Sequence, residues 1–421
     1  MPDSRERVYY GWYVVGGASL ALFLSYGIIY AFGSFFTPLS QAFDANRAAI
    51  SGLFAISVAV PNLLGVVTGP LADRLGPRPL VLVGGILIGA GILAVSRADA
   101  LWQIYAAYGL GVGVGTACVL VPVTEAVQHW FVRRRAFASG LAVAGIGAGN
   151  LILPPVAAAL LRVMDWRDVF VVLGIVAAVG IVAASRLVDA SPERRGLRPD
   201  GDPPDPSAGP PKPPPGMTLR EALAQHHFRL LYAAILIGGF GVFVPFSQLV
   251  PDAEAHGIHP VVAAILLGLI GGGSLAGRFL TGSLADRFGR RRSLAATFAA
   301  MAIFLAGWLV ADQAWSLAIF AVGFGLTYGS WAALTPALAV DYFGARHAGA
   351  IIGVLYTSIA PGAFLGSTMA GYAYDRLDSY TVPIIACAAT VAVATVCTVL
   401  LPDPQPIAIT APTRAAGTVA P

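Results

Sequence analysis

The sequence predicts an all-α integral membrane protein with twelve transmembrane helices arranged as two six-helix repeats. The first observation behind this prediction is composition, since 57% of the 421 residues are hydrophobic and only 11% are charged. Soluble domains carry about 25% charged residues. The second is that the apolar residues form runs near the length of about 20 residues that a helix needs to cross a bilayer. The third is a pair of motifs that recurs in both halves of the chain.

Twelve apolar segments follow one another, and a long polar connection separates the sixth from the seventh. Residues 194–216 of this connection are rich in proline, which predicts an extended or disordered linker. We therefore divide the chain into an N-terminal six-helix bundle (1–190), a cytoplasmic Pro-rich linker (191–226), a C-terminal six-helix bundle (227–402) and a cytoplasmic tail (403–421). The predicted spans cover residues 12–37, 48–71, 79–96, 101–129, 136–161, 168–187, 229–251, 261–285, 293–311, 314–341, 348–373 and 380–401.

The basic residues set the predicted orientation, because short cytoplasmic segments carry an excess of Lys and Arg. With the N-terminus inside, twenty of the 26 Lys and Arg residues lie in cytoplasmic segments and five lie in outer loops. Both termini and the linker are therefore predicted to be cytoplasmic. The preference for arginine over lysine favours a bacterial source and hence the inner membrane as the location. The remaining basic residue, Arg278, lies inside the eighth span.

Two motifs recur between the halves at nearly the same spacing. "GPLADRLGPR" begins at Gly69, and its counterpart "GSLADRFGRR" begins at Gly282. "GLGVGVGTACVLVP" begins at Gly109, and its counterpart "GFGLTYGSWAALTP" begins at Gly323. Because both pairs are separated by nearly the same length of chain, these matches indicate a six-helix repeat. Parallel repeats with a substrate site between them are a transporter architecture.

The loop motif G-x-L-A-D-R-x-G-x-R resembles the signature of the major facilitator superfamily, and the resemblance covers nearly the whole chain. Three more stretches are "YYGWYVV" at 9–15, "HWFVRRRAFASGLAVAGIGAG" at 129–149 and "SLAGRFLTGSLADRFGRR" at 274–291. Together they resemble the monocarboxylate transporter family and its bacterial relatives, including oxalate/formate-type exchangers. The resemblance implies that the arginine of the eighth span, Arg278, binds the substrate carboxylate.

Arg278 also points to an anion on physical grounds. It lies eight residues before Asp286, roughly 12 Å of helical rise from the predicted end of the span. A permanent charge at that depth costs about 3 kcal/mol. The equivalent position in the first half is Gly65, and the neighbouring turns hold Ser274 and Thr281 rather than an acid. A guanidinium suits a carboxylate, whereas snorkelling of the side chain to the interface is the alternative.

Other polar residues in the spans are further substrate-binding candidates. In the resembling family, spans 1, 4, 5, 7, 8, 10 and 11 line the transport path. For each candidate the alternative is a buried hydroxyl or amide bonded to a backbone carbonyl between helices. The candidates are Tyr26, Tyr30, Ser34, Asn150, Gln248, Ser274, Tyr328 and Tyr356.

The two "LADR" loops supply candidates for a gate at the cytoplasmic side. Each aspartate would accept hydrogen bonds from a neighbouring helix N-terminus, where the dipole favours an anion. The nearby arginines would bridge to carboxylates at the ends of spans 4 and 10, although arginines that only set the topology are the alternative. The gating candidates are Asp73, Arg74, Glu125, Asp286, Arg287 and Asp341.

At four positions, members of the resembling family carry titratable or charged side chains and this sequence carries neutral ones. Asp252, Glu254 and His256 follow shortly after span 7, and we interpret them as solvated loop charges, with a substitute proton site as the alternative. The positions that are neutral in this sequence are Ser34, Gln248, Ala255 and Ser274.

These observations predict a secondary active transporter of small monocarboxylates of the lactate and pyruvate class, with proton symport favoured and a monomer sufficient. Span 11 holds no Lys or Arg, so a dianion bound at Arg278 would leave one buried charge unpaired. The first alternative is an oxalate/formate-type or other organic-anion exchanger without proton coupling. The second is a non-transporting carboxylate sensor. The sequence holds no phosphate-binding G-x-x-x-x-G-K-[ST] motif and no metal-ligand pattern, so we predict no enzyme, cofactor, metal or nucleic-acid partner.

Overall fold

A computed structural model describes residues 9–131, 134–201, 216–344 and 347–404, and its regular structure in these segments is helical. Eleven of the described helices are long and apolar enough to cross a membrane. With one more long helix they form a twelve-helix bundle: α1 Gly11–Phe43, α2 Arg47–Leu75, α3 Pro77–Ser96, α4 Leu101–Trp130, α5 Arg135–Leu160, α6 Trp166–Ser185, α7 His226–Ala255, α8 Pro260–Phe288, α9 Arg290–Trp308, α10 Ala314–Phe343, α11 Ala348–Leu377 and α12 Thr381–Val399.

Helix α9 is less apolar than the other eleven long helices. Its first turn holds Arg290, Arg291 and Arg292, which lower the mean hydropathy of its nineteen residues. The helix nevertheless packs against α10 and α12. Arg291 fastens it to the end of α12 by donating to the carbonyls of Val399 and Leu401 at 2.9 and 2.7 Å. We therefore assign α9 as the twelfth member of the bundle.

The bundle has two six-helix halves. In the first half α1 packs on α5 and α3 on α6, and in the second half α8 packs on α10 and α7 on α12. The halves meet where α5 contacts α8 and where α2 contacts α11. The spacing of the repeated motifs relates α2 to α8 and α5 to α11, so these two contacts are equivalent under the repeat. The predicted fold class is confirmed.

Glycines bring α5 and α8 into close contact between the halves. A Cβ atom added to Gly271 would lie 2.5 Å from the backbone nitrogen of Leu151 and 2.7 Å from the carbonyl oxygen of Gly147. At Gly268 it would lie 2.7 Å from the carbonyl oxygen of Leu151. Small residues of this kind let helix backbones approach closely within a membrane.

The two ends of the connection between α6 and α7 contain short helical segments. Residues Pro192–Arg195 and Pro199–Gly201 form short 3₁₀ turns. The Tyr9 hydroxyl donates to the carbonyl of Arg198 at 2.9 Å and so ties the second turn to the start of α1. Residues Leu219–Ala224 form a short helix before α7. Residues 202–215 lie outside the described part of the chain.

Candidate functional site

Arg278 lies at the junction of the two halves. Its side chain is half-buried on α8, and its Nη1 donates to the carbonyl of Val143 on α5 across 3.5 Å, the outer limit of a hydrogen bond. The Nε atom is buried and has no hydrogen-bond partner among the described residues. The guanidinium therefore keeps donors free for a further acceptor.

Four tyrosines from both halves lie near this charge. Tyr26 and Tyr30 come from α1, Tyr328 from α10 and Tyr356 from α11, and each lies within electrostatic range of Arg278. The hydroxyls of Tyr30 and Tyr328 are 2.8 Å apart and share a hydrogen bond that joins the halves. The structure thus brings four of the predicted substrate-binding residues near a fifth, Arg278.

Two more predicted residues contribute unpaired polar atoms. Ser274, one turn before Arg278, is 2% exposed, and Asn150 on α5 is 1% exposed. The Ser274 Oγ and the Asn150 Oδ1 have no hydrogen-bond partner among the described residues. Most buried polar atoms in proteins are paired, and an unpaired one costs about 1–3 kcal/mol. Unpaired atoms on α5 and α8, the helices that meet at the junction of the halves, are consistent with a site for a polar ligand.

The Ser34 hydroxyl and the Gln248 amide nitrogen each donate to a neighbouring helix, whereas the buried Gln248 Oε1 has no hydrogen-bond partner among the described residues. The Ser34 hydroxyl donates to the carbonyl of Pro154 at 3.0 Å, which links α1 to α5 inside the first half. The Gln248 amide nitrogen donates to the Ser51 hydroxyl at 2.6 Å and links α7 to α2. Both side chains therefore direct a hydrogen bond to another helix rather than to the tyrosines near Arg278.

Aromatic residues that sequence reasoning passed over complete the site. The Phe246 ring centroid lies 4.7 Å from that of Tyr30 and 5.0 Å from that of Tyr328. Trp331 lies 5.8 Å from Tyr328, again between ring centroids. The sequence does not show which residues an aromatic side chain in an apolar span will contact. One signal was present, because Trp331 follows Tyr328 by three residues and so shares its helix face. We use "aromatic cluster" for Tyr30, Phe243, Phe246, Phe324, Tyr328 and Trp331.

The gating candidate Asp341 forms an ion pair with an arginine next to the loop motif. Arg290 Nη1 donates to the Asp341 carboxylate, whereas the gating candidate Arg287 is exposed. Arg290 begins α9 directly after the loop, which places its guanidinium beside the end of α10. Both partners belong to the second half, so this ion pair braces one half rather than bridging the two.

The remaining gating candidates lie near the ends of α2, α4 and α8. Arg74 is exposed at the end of α2, and Glu125 is partly buried in α4. The side chains of Asp73 and Asp286 lie outside the described part of the structure. Their gating roles remain predictions.

One end of the bundle is closed by contacts between the halves. We call it the loop end, because it carries the short connections 44–46, 256–259 and 378–380, and we call the opposite end the linker end. The Asp375 carboxylate on α11 accepts from the backbone nitrogens of Arg47 and Ala48, both at 3.0 Å. It therefore caps the N-terminus of α2, where the helix dipole favours an anion.

The Arg47 side chain reinforces this closure. Its guanidinium carbon lies 3.9 Å from the ring centroid of Tyr374, and it donates to the Tyr380 hydroxyl. Burial raises the pKa of the Tyr380 phenol above its ordinary value, more than the Arg47 charge lowers it, so the phenol stays neutral at physiological pH. We call Arg47, Tyr374, Asp375 and Tyr380 the loop-end lock.

We expect Arg47→Ala to weaken the loop-end lock and shift the protein toward a state open at that end. Loss of about 1 kcal/mol would change the population about fivefold. The measurement is the rate at which a water-soluble maleimide labels Ser51→Cys, which replaces a buried serine at the contact between halves, in a chain whose native cysteines are replaced. Arg97→Ala, an exposed arginine at the same end, is the control. Equal labelling rates in both variants would show that the lock does not hold the end closed.

Asp252 contradicts our interpretation of the charges after span 7. It lies inside α7 and is only 2% exposed. The Trp308 indole nitrogen donates to its Oδ2 at 2.8 Å, and His256 Nδ1 lies 3.7 Å from its Oδ1. The Arg47 guanidinium acts on it electrostatically from the other half. The prediction of a solvated loop charge is therefore wrong for Asp252, because α7 extends to Ala255.

The fold and this site define a class, a multi-pass helical membrane protein with a polar site between two repeated six-helix halves. The chain belongs to the Major Facilitator Superfamily, whose sequence model matches residues 18–336 and 249–420. The predicted superfamily is confirmed.

Within this superfamily, the chain is similar to proteins named monocarboxylate transporters. Monocarboxylate transporter 13 of Rattus norvegicus is 28% identical over 378 residues, which cover 89% of this chain and 85% of that protein. Monocarboxylate transporter 11 of Homo sapiens is 29% identical over 382 residues, covering 88% and 79%. Monocarboxylate transporter 2 of Homo sapiens is 28% identical over 405 residues, covering 92% and 84%. The predicted resemblance to monocarboxylate transporters is confirmed.

Proposed function

We propose that the protein is a secondary active transporter of small monocarboxylates of the lactate and pyruvate class. The observation that carries this proposal is the guanidinium of Arg278, which lies between the halves with unpaired donors and four tyrosines around it. A planar fork of N–H donors binds a carboxylate through two parallel hydrogen bonds. The names of the similar transporters support the same substrate class.

A single negative charge fits this site better than two. The described part of α11, which faces the site through Tyr356, contains Arg376 near its loop end and no other Lys or Arg. A dicarboxylate bound at Arg278 would therefore bury a second charge without a cation, at a cost of several kcal/mol. This supports a monoanion over an oxalate-type substrate.

The unequal ends of the bundle support a mechanism of alternating access. The loop-end lock holds the halves together at one end. Toward the linker end, a Cβ atom added to Gly140 on α5 or to Gly349 or Gly353 on α11 would meet nothing within 4 Å among the described residues. We propose that, in the conformation of this structure, the site opens toward the linker end. We also propose that this end faces the cytoplasm of a bacterial inner membrane, with both termini inside.

Proton coupling requires a group that can hold a proton, and Asp252 is a buried carboxyl group suited to that role. The groups that act on it are Trp308, His256, Arg47, Tyr374 and Tyr380. Because Arg47 belongs to the other half, the charge of Asp252 affects the contact between the halves at the loop end. Proton uptake there can therefore influence the opening of this end.

We expect Asp252→Asn to abolish the stimulation of lactate uptake by an inward proton gradient while leaving exchange against internal lactate within about threefold of the wild-type rate. An amide keeps the acceptor for Trp308 but takes up no proton. The measurement compares gradient-driven uptake and counterflow in the same proteoliposomes, with Asp312→Asn, an exposed loop-end aspartate, as the control. Full gradient stimulation in Asp252→Asn would exclude Asp252 as the proton site.

Counterflow tests the proposed substrate class. Proteoliposomes loaded with unlabelled L-lactate should accumulate labelled L-lactate, and external pyruvate should compete while oxalate and succinate should not. Competition by oxalate that equals or exceeds the effect of pyruvate would identify a dicarboxylate exchanger instead. A signal no greater than that of protein-free liposomes would exclude lactate as a substrate.

A further inference from the structure

Trp331 is a buried donor without an acceptor, close to the proposed carboxylate site. Its side chain is 4% exposed, and its indole nitrogen has no hydrogen-bond partner among the described residues. Indole N–H groups usually find a partner when buried. The ring packs within the aromatic cluster, with its centroid 5.8 Å from that of Tyr328 and 6.4 Å from that of Phe243.

The packing of α8 against α10 places Trp331 at the depth of Arg278. The two helices run parallel, because Gly273 abuts Leu326 and, further along both, Thr281 bonds to Ser330. Arg278 lies between Gly273 and Thr281, and Trp331 directly follows Ser330. With a rise of about 1.5 Å per residue, the two residues lie within roughly one turn of each other in depth.

The donors of Trp331 and Arg278 differ in a way that suits two parts of one small molecule. The guanidinium is a charged fork for a carboxylate, whereas the indole is a neutral, single donor with no acceptor function. A partner of Trp331 must therefore be an acceptor. The oxygen on C2 of lactate or pyruvate is such an acceptor, and it lies beside the carboxylate in the same molecule.

We propose that Trp331 is a specificity-determining residue whose indole N–H donates to the C2 oxygen of a 2-hydroxy or 2-oxo monocarboxylate. The inference rests on the proposed function, since it takes Arg278 as the carboxylate site. A site that hydrogen-bonds a substrate oxygen rejects the analogue that lacks it, because the buried donor is then left unpaired. Trp331 therefore selects lactate and pyruvate over propionate, which has the same three carbons without the C2 oxygen.

The test measures the ratio of KM for propionate to KM for L-lactate in proteoliposomes. We expect a ratio of at least about tenfold in the wild type, and a ratio near one in Trp331→Phe, which keeps an aromatic ring and removes the N–H. The KM for lactate should rise while the KM for propionate stays the same. Trp315→Phe is the matched control, because Trp315 begins the same helix, is 65% exposed and bonds to Gln313.

Each outcome separates this inference from the proposed function. If Trp331→Phe raises both KM values equally, the residue has a packing role only and the inference is overturned. If the wild type transports both acids with equal KM, the inference is overturned even where the Phe variant fails to fold. Transport of neither acid by the wild type overturns the proposed function itself, and this inference with it.

Discussion

Replacement of Arg278 by lysine is expected to abolish lactate uptake in proteoliposomes, with a loss of at least about a hundredfold in kcat/KM. Lysine keeps the positive charge, but its ammonium is a point charge without the planar fork that holds both carboxylate oxygens. The three N–H donors of an ammonium radiate from one nitrogen and cannot form two parallel hydrogen bonds with a carboxylate. The measurement is the initial rate of uptake at several lactate concentrations, for protein reconstituted at equal amounts.

The control for this variant is Arg167→Lys. Arg167 lies at the start of α6, stacks over the Trp166 ring at 4.2 Å and donates to the carbonyl of Ala98, away from the tyrosines near Arg278. We expect Arg167→Lys to transport at the wild-type rate. Wild-type uptake by Arg278→Lys would remove Arg278 from the substrate site and leave the snorkelling alternative.

Gly271→Ala is expected to slow transport by at least about tenfold while the protein still inserts and folds. The added Cβ would lie 2.5 Å from the backbone nitrogen of Leu151 and 2.8 Å from the carbonyl carbon of Asn150. Backbone atoms cannot rotate away, so α5 and α8 must separate. This separation would move Arg278 on α8 away from the carbonyl of Val143 on α5. Uptake kinetics and size-exclusion chromatography of the purified variant are the two measurements.

Gly307→Ala provides the matched control. Gly307 lies within α9, where an added Cβ would meet nothing within 4 Å among the described residues. Alanine has the higher helix propensity by about 1 kcal/mol, so this variant should transport normally and be slightly more stable. Normal transport by Gly271→Ala would show that the α5–α8 contact is not needed at its present distance.

Composition and spacing were sufficient to predict the architecture. Runs of about twenty apolar residues fix the helices because an unpaired backbone in lipid is costly. The repeated motifs relate α2 to α8 and α4 to α10, and the same spacing relates α5 to α11. Arg278 was recognisable as a candidate site residue because a charge inside a span requires a partner.

Contacts between distant helices could not be predicted in the same way. The sequence shows that Ser34 is polar within a span, but not that its hydroxyl bonds to Pro154. Asp252 follows a proline and resembles a loop residue, yet α7 continues past it and buries it against Trp308. Arg287 and Arg290 both belong to the second loop motif. The sequence does not show that Arg290, at the start of α9, is the one that pairs with Asp341.

The most direct test of the account is the uptake of labelled L-lactate into proteoliposomes, with and without an imposed inward proton gradient. The account predicts uptake that the gradient stimulates in the wild type and that is absent in Arg278→Lys. Uptake whose rate the gradient does not change, but which requires a counter-loaded anion, would contradict proton symport and indicate an exchanger. Uptake equal to that of protein-free liposomes under both conditions would contradict monocarboxylate transport itself.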